Sequence, residues 1–92
     1  MILSFSNRAL KRLYENDDGS KLPPSMVLRC SLILAKLDVA ANVEDLDLPS
    51  YRLHALRGDR KGQWAVTVRA NWRIVFRFED GDAHDVDFVD YH

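Results

Sequence analysis

The chain has 92 residues, 47% hydrophobic and 29% charged, with a formal charge of −1. So short a chain has surface enough for one core, which predicts a single domain over residues 1–92 and excludes multidomain architectures. Its apolar runs fall far short of the roughly 20 residues of a spanning helix, no basic region precedes a long apolar stretch at the N-terminus, and the lone Cys30 excludes an intrachain disulfide, so a cytoplasmic protein held by packing and away from membranes is predicted.

Met1 to Phe5 reads as a short edge strand, after which Ser6 offers a hydroxyl to cap a helix from about Asn7 to Asn16. Leu10, Leu13 and Tyr14 fall at helical spacing, and Arg8, Lys11 and Arg12 decorate the remaining surface. Asp17-Asp18-Gly19-Ser20 ends it. Pro23-Pro24 suits the start of a second helix, predicted to run to about Ala40 with a buried stripe of Met26, Cys30, Ile33, Leu34, Leu37 and Ala41. On that stripe the Cys30 thiol is a small hydrophobe rather than a nucleophile. Asn42 to Asp47 adds one helical turn before Pro49.

Beyond Pro49 the periodicity changes from helical to alternating. Arg52 to Leu56 is a short strand, and Gly58 to Gly62 is a polar turn bracketed by glycines. Trp64, Val66 and Val68 alternate with polar and small residues over 63–69, and after a break at Ala70-Asn71 the residues Trp72, Ile74, Phe76 and Phe78 do the same. Asp80-Gly81 supplies the positive-φ pair of a tight hairpin, and Ala83 to Val89 returns as the last strand. The fold class is therefore α+β: an N-terminal strand and two helices packed on one face of a small, mainly antiparallel twisted sheet.

Charge is segregated along this frame. Residues 52–77 hold seven Arg or Lys against the single acid Asp59, whereas residues 79–90 hold six acids and no base. Either the basic segment forms a face for polyanions, or the acids pair with it across neighbouring strands. Imidazole titrates near neutrality, which singles out His54, His84 and His92. His84 alternates with Val86 and Phe88, which suits a structural or surface role. The ending Asp90-Tyr91-His92 places three proton-handling groups together, and if the last strand emerges beside Arg73 or Arg69, acid, base and cation gather at one end of the sheet. That set suits phosphodiester cleavage: one group takes the 2'-hydroxyl proton, another protonates the leaving 5'-oxygen, and Arg neutralises the phosphorane. Asp59, Asp85 and Asp87 are scattered over strands and turns, so no metal and no cofactor is expected.

The block Tyr51 to Phe76, with its Gly58-Asp59-x-x-Gly62-x-Trp64 and Val68-Arg69-x-Asn71-Trp72-Arg73 segments, together with Asp90-Tyr91-His92 and the opening Met1-Ile2 and Ser4-Phe5, resembles the HigB toxins of the RelE/ParE superfamily. The resemblance covers essentially the whole chain. It implies a RelE-like fold and a bacterial type II toxin: a ribosome-dependent mRNA endonuclease cutting in the A site, neutralised by a helix-turn-helix (HigA-type) antitoxin, with operator DNA reached only through the antitoxin complex. It further implies that His54, Asp90, Tyr91 and His92 form the catalytic set and that Arg73 stabilises the phosphate. Where some members carry lysine this chain has Arg57, which stays protonated and so serves as a phosphate contact beside Arg69 rather than as a base. Arg60-Lys61 and the helix face of Arg8, Lys11 and Arg12 are candidate contacts to ribosomal RNA phosphates, against the alternative of a solvated surface. Two other readings stand beside this one: a ParE-type toxin that inhibits DNA gyrase by binding, and a non-catalytic nucleic-acid-binding regulatory module.

Overall fold

The computed structural model describes residues 1–91. Asn7, not Ser6, caps the first helix: its side-chain oxygen accepts from the Leu10 amide at 2.9 Å. The backbone amides of Ser6 and Asn7 both donate to the Val86 carbonyl, so residue 6 is still tied to the sheet and the helix begins one residue later than expected. Helix α1 spans Arg8–Asn16 and buries Leu10 and Leu13. It ends on Asp17, whose left-handed backbone (φ 55°) returns its amide to the carbonyls of Arg12 and Leu13.

A 3-10 turn at Pro24–Met26 leads into α2, Val27–Val39, which buries Cys30, Ile33, Leu34 and Leu37. Ala40 leaves the helix with extended backbone (ψ 131°), and that change of course turns Ala40 inward and Ala41 outward, a correction of one residue to the expected stripe. Burial pushes the Cys30 thiol up to about 11, which keeps it protonated and inert. The outer face of α2 exposes Leu28, Leu32 and Val39. A further 3-10 turn, Val43–Leu46, is fastened by the Asp45 carboxylate, which accepts from the amides of Ala41 and Asn42, and it plugs the core with Leu46.

Strands β1 (His54–Ala55), β2 (Gln63–Arg69), β3 (Trp72–Glu79) and β4 (Asp82–Asp90) form an antiparallel sheet in that order. The expected 52–56 strand shrinks to two residues because Arg52 adopts φ 50° and breaks the ladder before it. The expected N-terminal strand is realised as two isolated parallel bridges, Ile2 to Ala83 and Phe5 to Val86, along β4. Regular pairing fails there because β4 carries a bulge: Val75 faces Asp87 while Arg77 faces His84, leaving one extra residue on β4, and Asp85 takes a left-handed φ of 54°. The Ser4 hydroxyl accepts from the Asp85 amide at 2.8 Å and so satisfies the donor that the bulge frees.

The sheet face carrying Val66, Val68, Ile74, Phe76 and Val86 packs against the helices around Leu10, Ile33, Leu34 and Leu37. Trp72 and Phe88 stack at 4.5 Å on the margin of that core. Ala65 and Val75 are also fully buried but belong to the other face of the sheet. Among the described residues no helix is long and apolar enough to cross a membrane.

Candidate active site

The face turned away from the helices is organised by strand register. His54 lies opposite Ala65, Ala65 opposite Val75, and Val75 opposite Asp87, so one row crosses all four strands. One row further, Thr67, Arg73 and Val89 line up on the same face. With neighbouring strands ~4.8 Å apart and one row lying ~6.6 Å from the next along the strand, the His54 and Arg73 backbones stand about 12 Å from each other across β2. Small Ala65 and Val75 make the floor between them, so the groups that flank it project beyond it.

His54 is exposed, and its Nδ1 lies 3.0 Å from the Arg52 carbonyl oxygen. A carbonyl only accepts, so the contact is a hydrogen bond only when Nδ1 carries the proton; in the neutral ring Nε2 then keeps its lone pair. The bend that brings the Arg52 carbonyl there is the same positive φ that shortens β1. Arg73 is half-buried and donates from Nη1 to the carbonyls of Ala70 (2.6 Å) and Trp72 (3.1 Å), so its guanidinium is braced on the β2–β3 turn rather than neutralised by a carboxylate.

Asp90 pairs with Trp72, which also pairs with Arg69, so the acid and the exposed arginine flank Trp72 at the sheet end. The Tyr91 amide donates to the Asn71 carbonyl at 2.8 Å, which carries the chain past Asp90 along the same turn that holds Arg73. The structure thus gathers Arg69, Arg73, Asp90 and Tyr91 at one end, with His54 on the neighbouring row. By alternation Asp90 shares the face of Trp72 and not that of Arg73. His92 lies outside the described residues.

The remaining basic residues are placed apart. Arg57 precedes a 3-10 turn, Gly58–Arg60, at the opposite end of β2, where Arg60 donates to the Gln63 side chain at 3.1 Å. Arg57 and Lys61 are exposed beside it. Arg8, Lys11 and Arg12 line a groove along α1, on the helical side of the molecule. Pairing of acids with bases is seen at Arg77, which meets Asp85 at 2.8 Å and Glu79, whereas Arg57, Lys61, Arg69 and Arg73 lack a carboxylate partner within ion-pair distance among the described residues. His84 is half-buried opposite Arg77, which agrees with a structural role. Among the described residues no group of three or more His, Cys, Asp or Glu is arranged to hold a metal ion.

One contributor escapes a reading of the sequence. Arg29 sits one position before the buried Cys30 on α2, yet its guanidinium reaches across to the loop before β1 and to β2, donating to the carbonyls of Ser50 and Thr67. The only sequence signal is a cation adjoining the apolar stripe of a helix.

Residues 3–92 match the family model of the RelE-like toxin of the type II toxin-antitoxin system HigB. The chain belongs to the HigB-like toxins. It is 45% identical, over the full length of both chains, to a Proteus vulgaris protein named endoribonuclease HigB. It is 32% identical to toxin HigB-1 of Vibrio cholerae serotype O1, covering all of this chain and 98% of that one. Its fold is similar to that of a mutant of YafQ from E. coli, with a TM-score of 0.61, 15% identity, and coverage of 98% and 91% of the two chains. That likeness agrees with the expected RelE-like architecture. As a type II toxin, this HigB-like chain has an antitoxin partner.

Proposed function

We propose that this HigB-like toxin is an endoribonuclease that cuts mRNA in the ribosomal A site and thereby stops translation, acting in the cytoplasm. The full-length match to a protein named an endoribonuclease supports RNA cleavage. The observation that carries the mechanism is the His54 contact to the Arg52 carbonyl, which in the neutral ring assigns the proton to Nδ1 and the lone pair to Nε2, on the sheet face that also bears Arg73. Nε2 takes the proton of the 2'-hydroxyl, the 2'-oxygen bonds to phosphorus, and Arg73 and Arg69 neutralise the added charge. The P–O5' bond breaks and the 5'-oxygen takes a proton from the Asp90-Tyr91-His92 end, leaving a 2',3'-cyclic phosphate and a 5'-hydroxyl. This acid–base route uses side chains alone, without a metal or cofactor. Arg57 contacts a neighbouring phosphate.

The site lies on an open sheet face rather than in a deep pocket; the groove between α1 and α2, lined by Leu13, Tyr14, Leu34 and Asp38, is on the other side. An open face agrees with a substrate strand presented by a second surface, and the ribosome supplies that surface. Arg60, Lys61, Arg8, Lys11 and Arg12 make phosphate contacts to it. The antitoxin is a helix-turn-helix protein of HigA type, and operator DNA is bound only through the complex with it.

The test is purified protein with programmed ribosomes and mRNA, cuts mapped by primer extension, beside a reaction without ribosomes and beside His54→Ala, Asp90→Ala and His92→Ala variants. Cuts at codons only with ribosomes, abolished in the variants, are expected. Untouched cleavage in Asp90→Ala would overturn the assignment of the C-terminal end. No cuts from folded protein would instead favour gyrase inhibition by binding, or a regulatory nucleic-acid module.

A further inference from the structure

We propose that Arg29 is a positioning residue for the reaction proposed above: from the helical layer it clamps the loop before β1, and so fixes the tautomer of His54. The inference rests on that reading of His54 as the base, but its central measurement does not require cleavage.

The Arg29 guanidinium enters between two stretches of backbone. Nη2 donates to the Ser50 carbonyl at 2.8 Å and to the Thr67 carbonyl at 3.2 Å, and Nη1 reaches the Ser50 hydroxyl at 3.4 Å. Its central carbon lies 4.7 Å from the centre of the Tyr51 ring, which is itself buried, so the cation is stacked as well as hydrogen-bonded. Arg29 Nε is buried with no hydrogen-bond partner among the described residues, as is the Thr67 hydroxyl. The residue as a whole is half-buried, and the one polar atom of its guanidinium buried without a partner is Nε. What its donors hold is specific. The Thr67 amide donates to the Tyr51 carbonyl at 2.7 Å and the Tyr51 amide to the Leu48 carbonyl at 2.9 Å, so Arg29 closes a ring of contacts around residues 48–51 and β2.

The next residue, Arg52, carries the φ of 50° that aims its carbonyl at His54 Nδ1. A left-handed arginine is held only where its surroundings over-determine it. Arg29 supplies that restraint just upstream, at Ser50 and Tyr51. On the other side it grips Thr67, which pairs with Arg73, so one side chain sets the base and the phosphate-binding arginine in a common frame.

The experiment compares the parent protein with Arg29→Met, which keeps the stem and removes the donors, and Arg29→Lys, which keeps a charge and one donor point. The His54 tautomer is read from long-range proton–nitrogen NMR of the free protein, about two units above the ordinary histidine value of ~6.5 so that the ring is neutral. Folding is checked by circular dichroism, and kcat and KM are measured on programmed ribosomes. The parent shows Nδ1–H; Arg29→Met shows a mixture of tautomers, with kcat lowered about tenfold to a hundredfold and KM within about twofold, and Arg29→Lys lies between. A folded Arg29→Met variant that keeps the pure Nδ1–H form overturns the proposal, as does a changed tautomer with unchanged kcat. If the parent cuts no RNA, the cleavage reading falls while the NMR comparison still decides whether Arg29 sets the ring.

Discussion

Arg73 shows how a single side chain can be both anchored and available. Its Nη1 is committed to the carbonyls of Ala70 and Trp72, which fixes the plane of the guanidinium and, in the proposed reaction, leaves the opposite edge for the phosphate. Lysine in its place keeps the charge but cannot brace and bind at once. Arg73→Lys is therefore expected to lower kcat on programmed ribosomes by about 10²- to 10³-fold, with KM changed much less. A lysine variant with parental kcat would show that position 73 supplies charge alone. Asp85 illustrates a pairing that stabilises rather than acts. The Arg77 Nε–H donating to it, with help from the Arg77 charge, Ser4 and His84, holds its carboxyl below the ordinary carboxylate range. A depressed folded value means that the stabilisation is complete above the unfolded value of ~3.9 and disappears as pH falls through the folded one. Asp85 is 47% exposed, so the contribution is less than about 1 kcal/mol. Asp85→Asn tolerates the same left-handed backbone and isolates the charge. Urea midpoints of parent and variant should differ at neutral pH and converge in acid.

At the scale of elements, the connection from α1 to α2 is built on close approach. A Cβ added to Gly19 would stand 2.6 Å from Val27 Cγ1, and Val27 is a stiff β-branched residue at the start of α2. Gly19→Ala is expected to destabilise by about 1–3 kcal/mol, lowering Tm by at least about 4 °C in a thermal scan. An unchanged Tm would mean that the loop and helix separate freely. Nothing in the local sequence announces this contact, because it joins residues that only packing brings together. The same distinction separates what is legible in the sequence from what is not. Strands β2 and β3 can be read to the residue because alternation is local and the Ala70-Asn71 and Asp80-Gly81 breaks contain positive-φ positions. The shift of the cap from Ser6 to Asn7 depends on hydrogen bonds to Val86 on a distant strand. The bulge at Asp85, which reduces the N-terminal strand to two bridges, is likewise a matter of register. His54, Arg69, Arg73, Asp90 and Tyr91 are legible as candidates by chemistry and by the resemblance, whereas Arg29 is hidden because its partners are backbone carbonyls.

Across the whole molecule, the basic residues outside the sheet end occupy two separate surfaces of a body measuring only 30 × 29 × 25 Å. Arg60 and Lys61 lie at the end of β2 remote from Asp90, while Arg8 and Lys11 lie on α1 in the helical layer. A free RNA strand lying along one surface meets one cluster at a time, but a ribosomal site that encloses the protein meets both. Removing one phosphate-binding cation lowers the steepness of log affinity against log salt by about one unit. Charge reversal at Arg60 and Lys61 is therefore expected to weaken ribosome association and flatten its salt dependence, as is reversal at Arg8 and Lys11. The two pairs lie on separate elements and each would meet its own phosphates, so the combined variant should show the sum of the two changes. On free single-stranded RNA the two reversals should not add, because both surfaces cannot be engaged together. Ribosome sedimentation and RNA binding across a salt series read both quantities. An unchanged slope for either pair would remove that surface from the ribosome contact and leave it as solvated charge on the helix or turn that carries it.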